Sequence, residues 1–156
     1  MHIPEAINKM IKKEDLIKSA LSFVNTPYKH QGRLKGVGID CAGLIVEVIK
    51  DLGMDSSFDI KGYDRIPDGQ TLAKICNTYG TAKDIKNNFY NLEDGDVLLF
   101  NFLGNPQHLG FYYKLNNLDY FIHAYGEASV NKVIIQRLDS KWKNRINGVF
   151  KINGVE

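Results

Sequence analysis

The stretch Asn91-Leu92-Glu93-Asp94-Gly95-Asp96-Val97-Leu98-Leu99-Phe100 separates two kinds of sequence. Its acidic segment Glu93-Asp94-Gly95-Asp96 reads as a turn, and the apolar run after it reads as a buried strand. Upstream, apolar residues recur with the helical period. Leu16, Ile17, Ala20, Leu21 and Val24 form one such face, stopped by Pro27. Leu44, Ile45, Val48, Ile49 and Leu52 form another, closed by Gly53 as a C-terminal cap. Shorter helices are expected at 71–79 and 83–90. Downstream the pattern belongs to strands, at 97–100, 108–115, 119–125, 133–135 and 149–152. Helices first and strands second imply an α+β fold, with N-terminal helices packed on a C-terminal antiparallel sheet of about five strands.

The chain has 156 residues, the size of one domain, and is expected to form one unit with its core at about 14–152. It is 44% hydrophobic and 24% charged, which excludes collagen-like, coiled-coil and wholly disordered classes. The net charge of +2 gives no concentrated basic field, so neither nucleic acid nor a membrane surface is an expected partner. No apolar run is long enough for membrane insertion. Glu5, Asn8 and Lys9 interrupt any signal-peptide core, so synthesis in the cytoplasm is expected, with Cys41 and Cys76 as free thiols.

Within Gly38-Ile39-Asp40-Cys41-Ala42-Gly43-Leu44, Asp40 is a good N-cap and Cys41 falls in the first helical turn. Unpaired N–H groups and the positive end of the helix dipole favour a thiolate there, so a lowered cysteine pKa is expected. The competing reading is a small buried hydrophobe, since Cys41 shares the inward face of Leu44 and Ile45. A thiolate nucleophile requires a base and a group that orients it. If 108–115 and 118–125 pair across a two-residue Asn116-Asn117 turn, residue 110 lies opposite 123. His108 and His123 are then diagonal neighbours on one face, whereas a one-residue slip would separate them. Three alternatives stay open on these residues. One is zinc held by Cys41, His108 and His123, with Cys76 as a further ligand, although the close ligand spacings are lacking. The second is a non-catalytic tail- or wall-binding module. The third is a related papain-like amidase, acyltransferase or transglutaminase-like toxin.

The segments Gly38–Leu44, Gln107-His108-Leu109-Gly110-Phe111-Tyr112, Phe121-Ile122-His123-Ala124 and Asp94–Phe100 together resemble the NlpC-type (NlpC and p-sixty) cell-wall cysteine peptidases. Thr26-Pro27-Tyr28-Lys29-His30-Gln31-Gly32-Arg33 is most similar to their phage-tail branch. The resemblance covers about residues 14–152. It implies a papain-like fold without a cofactor or metal. It also implies hydrolysis of the γ-D-glutamyl bond to a diamino acid, typically meso-diaminopimelate, in peptidoglycan stem peptides. On this resemblance Cys41 is the nucleophile, His108 the base and then acid, and His123 the orienting group. Tyr28 and Asp40 help form the pocket for the free amino end of the stem, with Arg33 and Gln31 in the same cleft. Ala42 departs from the usual Ser after the nucleophile, which puts the need for a free N-terminus in question. Action at the cell wall after delivery by a phage tail, lysis or secretion follows, with tail-tip proteins as partners in the first case.

Overall fold

The computed structural model describes residues 10–85 and 91–156. Four helices occur among them: α1 (Lys13–Ser22), α2 (Cys41–Asp51), α3 (Thr71–Tyr79) and the short α4 (Ser140–Lys143). The strands are β1 (Arg33–Leu34), β2 (Gly38–Ile39), β3 (Gly80–Lys83), β4 (Val97–Phe102), β5 (Asn105–Leu115), β6 (Leu118–Tyr125), β7 (Lys132–Arg137) and β8 (Ile146–Ile152). β1 and β2 pair with each other, and the other six form one sheet in the order β3-β8-β4-β5-β6-β7. Every pair is antiparallel.

Eight residues of α2 are buried, including Leu44, Ile45, Val48 and Ile49. Truncating one of these to Ala is expected to cost about 2–5 kcal/mol, because the rest of the helix cannot collapse into the gap. Gly53 follows α2 at φ 73°, and the Met54 N–H reaches back to the Ile49 carbonyl. This left-handed closure is one that only Gly adopts without strain. α1 ends at Ser22, before Pro27, because Asn25 at φ 74° has already reversed the chain.

The sheet is covered on both faces. α1, α2 and α3 pack with Val97, Leu99, Leu109, Phe111, Ile122, Ala124 and Val133. The alternate residues Leu98, Phe100, Tyr112, Phe121 and Val149 form a second core with Leu138 and Trp142. Sheet residues facing both ways are therefore apolar, and the strands read as continuous hydrophobic runs.

The expected hairpin forms with the expected register, Leu115 opposite Leu118 and Phe111 opposite Ile122. Asn116 and Asn117 sit at φ 51° and 63°, as a two-residue turn matching strand twist requires. The helix expected over 83–90 is corrected at its start: Lys83 ends strand β3, paired with Val149 of β8. Residues 86–90 of that expectation lie outside the described residues. β3 adds a sixth strand at the sheet edge. Its Thr81 and Ala82 are both exposed, so no apolar alternation announced it.

Candidate active site

Cys41 opens α2 through a local sequence device. The Asp40 backbone is extended, and its Oδ1 accepts the Gly43 N–H at 2.8 Å. Gly43 is required by close approach, since a Cβ there would lie 2.3 Å from the Gly32 carbonyl oxygen. The loop before the helix thus rests directly on its first turn.

Asp40 is only 2% exposed and its carboxylate is fully engaged. Oδ2 accepts the Gln31 N–H at 2.7 Å and the Tyr63 hydroxyl. Oδ1 also accepts from Arg33 at 2.9 Å. Arg33 spends its other donors on both oxygens of Asp59, the Gly32 carbonyl and the Tyr63 hydroxyl. Buried charge is tolerable when paired and hydrogen-bonded in this way.

The expected lowering of the Cys41 pKa is not what this environment produces. Burial pushes the thiol up to about 12, and the Asp40 carboxylate adds to the rise. The backbone N–H groups of Leu109 and Ala42 and the charge on Arg33 act in the opposite sense but do not win. The reason is local. The positive helix end is already occupied by Asp40, so the sulfur meets a compensated dipole, a neighbouring negative charge and little water. The resting sulfur is a thiol.

The sheet supplies the imidazoles. His108 and His123 meet as diagonal neighbours, with His108 Nε2 2.6 Å from His123 Nδ1. Gly110 makes room between them: a Cβ there would lie 3.0 Å from Phe121, 3.1 Å from the Ile122 carbonyl and 3.2 Å from His123 Cβ. Phe121 stacks 4.2 Å from the His123 ring, and Trp142 stands 5.5 and 6.0 Å from His123 and His108. Burial among these rings pushes His108 well below its ordinary pKa, and the neighbouring His123 adds to the shift. Burial likewise takes His123 down to about 4. Both are neutral at pH 7, and a neutral imidazole is the form that can accept a proton.

Cys41 and His108 line the same cleft, of about 420 Å³. Tyr28, Asp40, His30, Gln107 and Tyr125 line it too. Tyr28 packs against Gly126, whose Cβ would lie 2.9 Å from the phenol ring. Burial, with Cys41 and Asp40 nearby, raises the Tyr28 hydroxyl to about 12, so it enters the cleft as a neutral donor. Arg33 is not among the lining side chains; it braces Asp40, as above. Gln31 holds the 59–68 loop, bonding the Tyr63 carbonyl and the Gly62 N–H. Cys76 is a buried core residue of α3. No group of three or more His, Cys, Asp or Glu among the described residues is placed to hold a metal ion.

Three participants escaped the sequence. Tyr63 shares Asp40 with Arg33 and also lines the cleft. Trp142 walls the histidine pair. Gln136 places Oε1 2.7 Å from His123 Nε2. Only Gln136 left a legible signal: on the 133–135 strand extended by one residue, it shares a face with Ile134, which pairs with His123.

A thiol at a helix tip, a buried imidazole in the same cleft and a second imidazole bonded to the first form the constellation of a papain-like cysteine hydrolase. The sequence profile described as the NlpC/P60 family matches residues 25–151. The chain belongs to the NlpC/P60 family and is a cysteine peptidase.

Solved structures agree on the fold. The NlpC/p60 domain of the peptidoglycan hydrolase SagA matches with a TM-score of 0.59 at 18% identity, over 91% of this chain and 100% of that one. A Staphylococcus aureus protein described as similar to lipoprotein, NLP/P60 family, matches at 0.59 and 17% identity over 97% of this chain. The match spans 43% of that longer protein. An N-acetylmuramoyl-L-alanine amidase of Bacteroides uniformis matches at 0.60 and 12% identity, over 88% and 96% of the two chains. Comparison with curated protein sequences gives no match.

Proposed function

We propose that this protein is an endopeptidase that hydrolyses γ-D-glutamyl–diamino acid bonds in peptidoglycan stem peptides. The observation that carries the reading is the shared cleft, which brings Cys41 on α2 and His108 on β5 to one opening, with His123 on β6 bonded to His108. Cys41 is the nucleophile. Its sulfur attacks the scissile carbonyl carbon while His108 takes the thiol proton, so attack and proton transfer are coupled and no resting ion pair is needed. The developing oxyanion lies at the N-terminus of α2, against the Cys41 backbone N–H. On collapse, His108 protonates the departing amine of the diamino acid and leaves a glutamyl thioester on Cys41. The same imidazole then removes a proton from water, which releases the acid and restores the thiol. His123 holds His108 in place throughout.

Tyr28 and Asp40 bound the end of the cleft that receives the stem's N-terminal portion. Asp40 has four donors on its two oxygens, and Ala42 supplies no hydroxyl, so neither residue offers an unengaged acceptor to an ammonium; the other carboxylate lining the cleft is Glu127. The protein therefore accepts stems whose N-terminus is blocked. Its site of action is the cell wall. Delivery by a phage-tail-type device, with tail-tip proteins as partners, is supported by the likeness of Thr26–Arg33 to that branch.

The test is mass spectrometry of stem peptides after incubation, with free and acetylated N-termini compared. Fragments cut after D-glutamate from both are expected. Release of the intact stem from its sugar would make the protein an amidase instead, and cleavage of free-ended stems alone would overturn the blocked-end reading.

A further inference from the structure

We propose that Gln136 selects the tautomer of the histidine pair and so determines which nitrogen of His108 is left bare as the base. The inference deepens the peptidase reading, on which its kinetic consequences rest. His108, His123 and Gln136 stand on three neighbouring strands, β5, β6 and β7, in one diagonal row. The spacings are 2.6 Å from His108 Nε2 to His123 Nδ1 and 2.7 Å from His123 Nε2 to Gln136 Oε1. Phe121 pairs with Gln136 and His123 with Ile134, so the amide is held one diagonal step from the ring by sheet register.

A neutral imidazole carries one N–H, and an amide oxygen only accepts. With Gln136 Oε1 facing it, His123 keeps its hydrogen on Nε2 and presents a bare Nδ1. That lone pair accepts the Nε2–H of His108. The remaining nitrogen of His108, Nδ1, then carries the free lone pair that proton abstraction requires. Turned over, the same amide would donate to His123 Nε2, reverse both bonds and leave a hydrogen on His108 Nδ1, where it would block the base. The orientation of one amide is thus passed through two hydrogen bonds to the reacting nitrogen.

Among the described residues, His108 and Gln136 are the groups hydrogen-bonded to the His123 ring. Its neighbours are the rings of Phe121, Tyr125 and Trp142. The charged and titratable groups near the row, among the described residues, include Tyr125, Cys41 in the same cleft as His108, Asp40 at the N-cap of α2, Glu127 beside Tyr125, and Arg145, whose guanidinium lies 5.2 Å from the Trp142 ring centroid. Gln136 is half-buried on an edge strand, so its replacement leaves the core intact.

The experiment combines two-bond proton–nitrogen NMR of the ring nitrogens at neutral pH with kinetics on stem peptides, for the wild type, Gln136→Leu and Gln136→Glu. In the wild type both rings are expected as Nε2–H tautomers. Gln136→Leu is expected to mix the tautomers and lower kcat roughly tenfold with KM unchanged. Gln136→Glu, an obligate acceptor, is expected to rescue the Nε2–H form and most of the lost kcat. It should also move the acid limb of the pH–rate profile upward, because its charge favours the imidazolium. A wild-type His108 bearing hydrogen on Nδ1, or a Gln136→Leu protein with unaltered tautomers and kcat, overturns the proposal. If no protein cleaves the peptides, the peptidase reading fails, while the NMR comparison still decides the role of Gln136.

Discussion

On the helical wall of the cleft, the almost wholly buried Asp40 is surrounded by two backbone N–H groups, the Tyr63 hydroxyl and the Arg33 guanidinium. On the sheet wall, His108 and His123 are about as deeply buried, and among the described residues their side chains meet each other, one amide and a set of aromatic rings. Equal burial meets opposite surroundings: donors and a counter-ion enclose the carboxylate, whereas burial among rings pushes both imidazoles below their ordinary pKa. Cys41 lies between the walls and follows the first, with its thiol raised by burial and by Asp40. Burial thus favours a thiol and a neutral imidazole in the resting cleft.

The sharpest way to break this picture is at the sulfur itself. Cys41→Ala is expected to abolish cleavage, a loss on the order of 10⁵-fold or more, with an unchanged melting transition; residual turnover would remove Cys41 from the reaction. His108→Ala should lose about 10⁴-fold. His123→Ala should lose less, because the orienting ring does not itself carry the proton, and equal losses would mean that both rings do.

The helical wall is tested through stability. Arg33→Met leaves Asp40 buried without its counter-ion, so denaturant unfolding should show a loss of about 3 kcal/mol. A change below about 1 kcal/mol would mean that Tyr63 and the backbone donors suffice alone.

The sheet wall is tested by acid. His123 binds its proton only near pH 4 when folded but near 6.5 when unfolded. Its contribution is complete above about pH 6.5 and is lost as pH falls toward 4, since the unfolded chain takes up the proton first. Stability should drop by roughly 3 kcal/mol across that window, beginning before the carboxylates titrate. A flat profile between about pH 6.5 and 5 would contradict the neutral pair.

The smallest effect is in alkylation. With the thiol near 12, the iodoacetamide rate at Cys41 should rise about tenfold per pH unit through neutrality. A plateau below about pH 7 would instead reveal a thiolate–imidazolium pair.

Much of this molecule was legible from residue order. The 3.6-residue period located α1 and α2, and α3 fell on the expected 71–79. The Asn116-Asn117 turn set the hairpin register, and that register alone brought His108 to His123. β3 was misread because a four-residue edge strand with exposed side chains has no periodicity to show. Tyr63 was missed because it sits in an irregular loop, where no pattern says what the side chain reaches.

Local rules thus determined the elements, their order and the meeting of the two imidazoles, since periodicity, capping and turn chemistry act over a few residues at a time. Three properties belong to the tertiary structure alone: the protonated state of Cys41, the engagement of Arg33 behind the cleft and the contact of Gln136 with His123. Each depends on desolvation or on a partner distant in sequence. Electrostatic energy in a buried site is a sum over everything packed around it, and that sum exists only after the chain has folded.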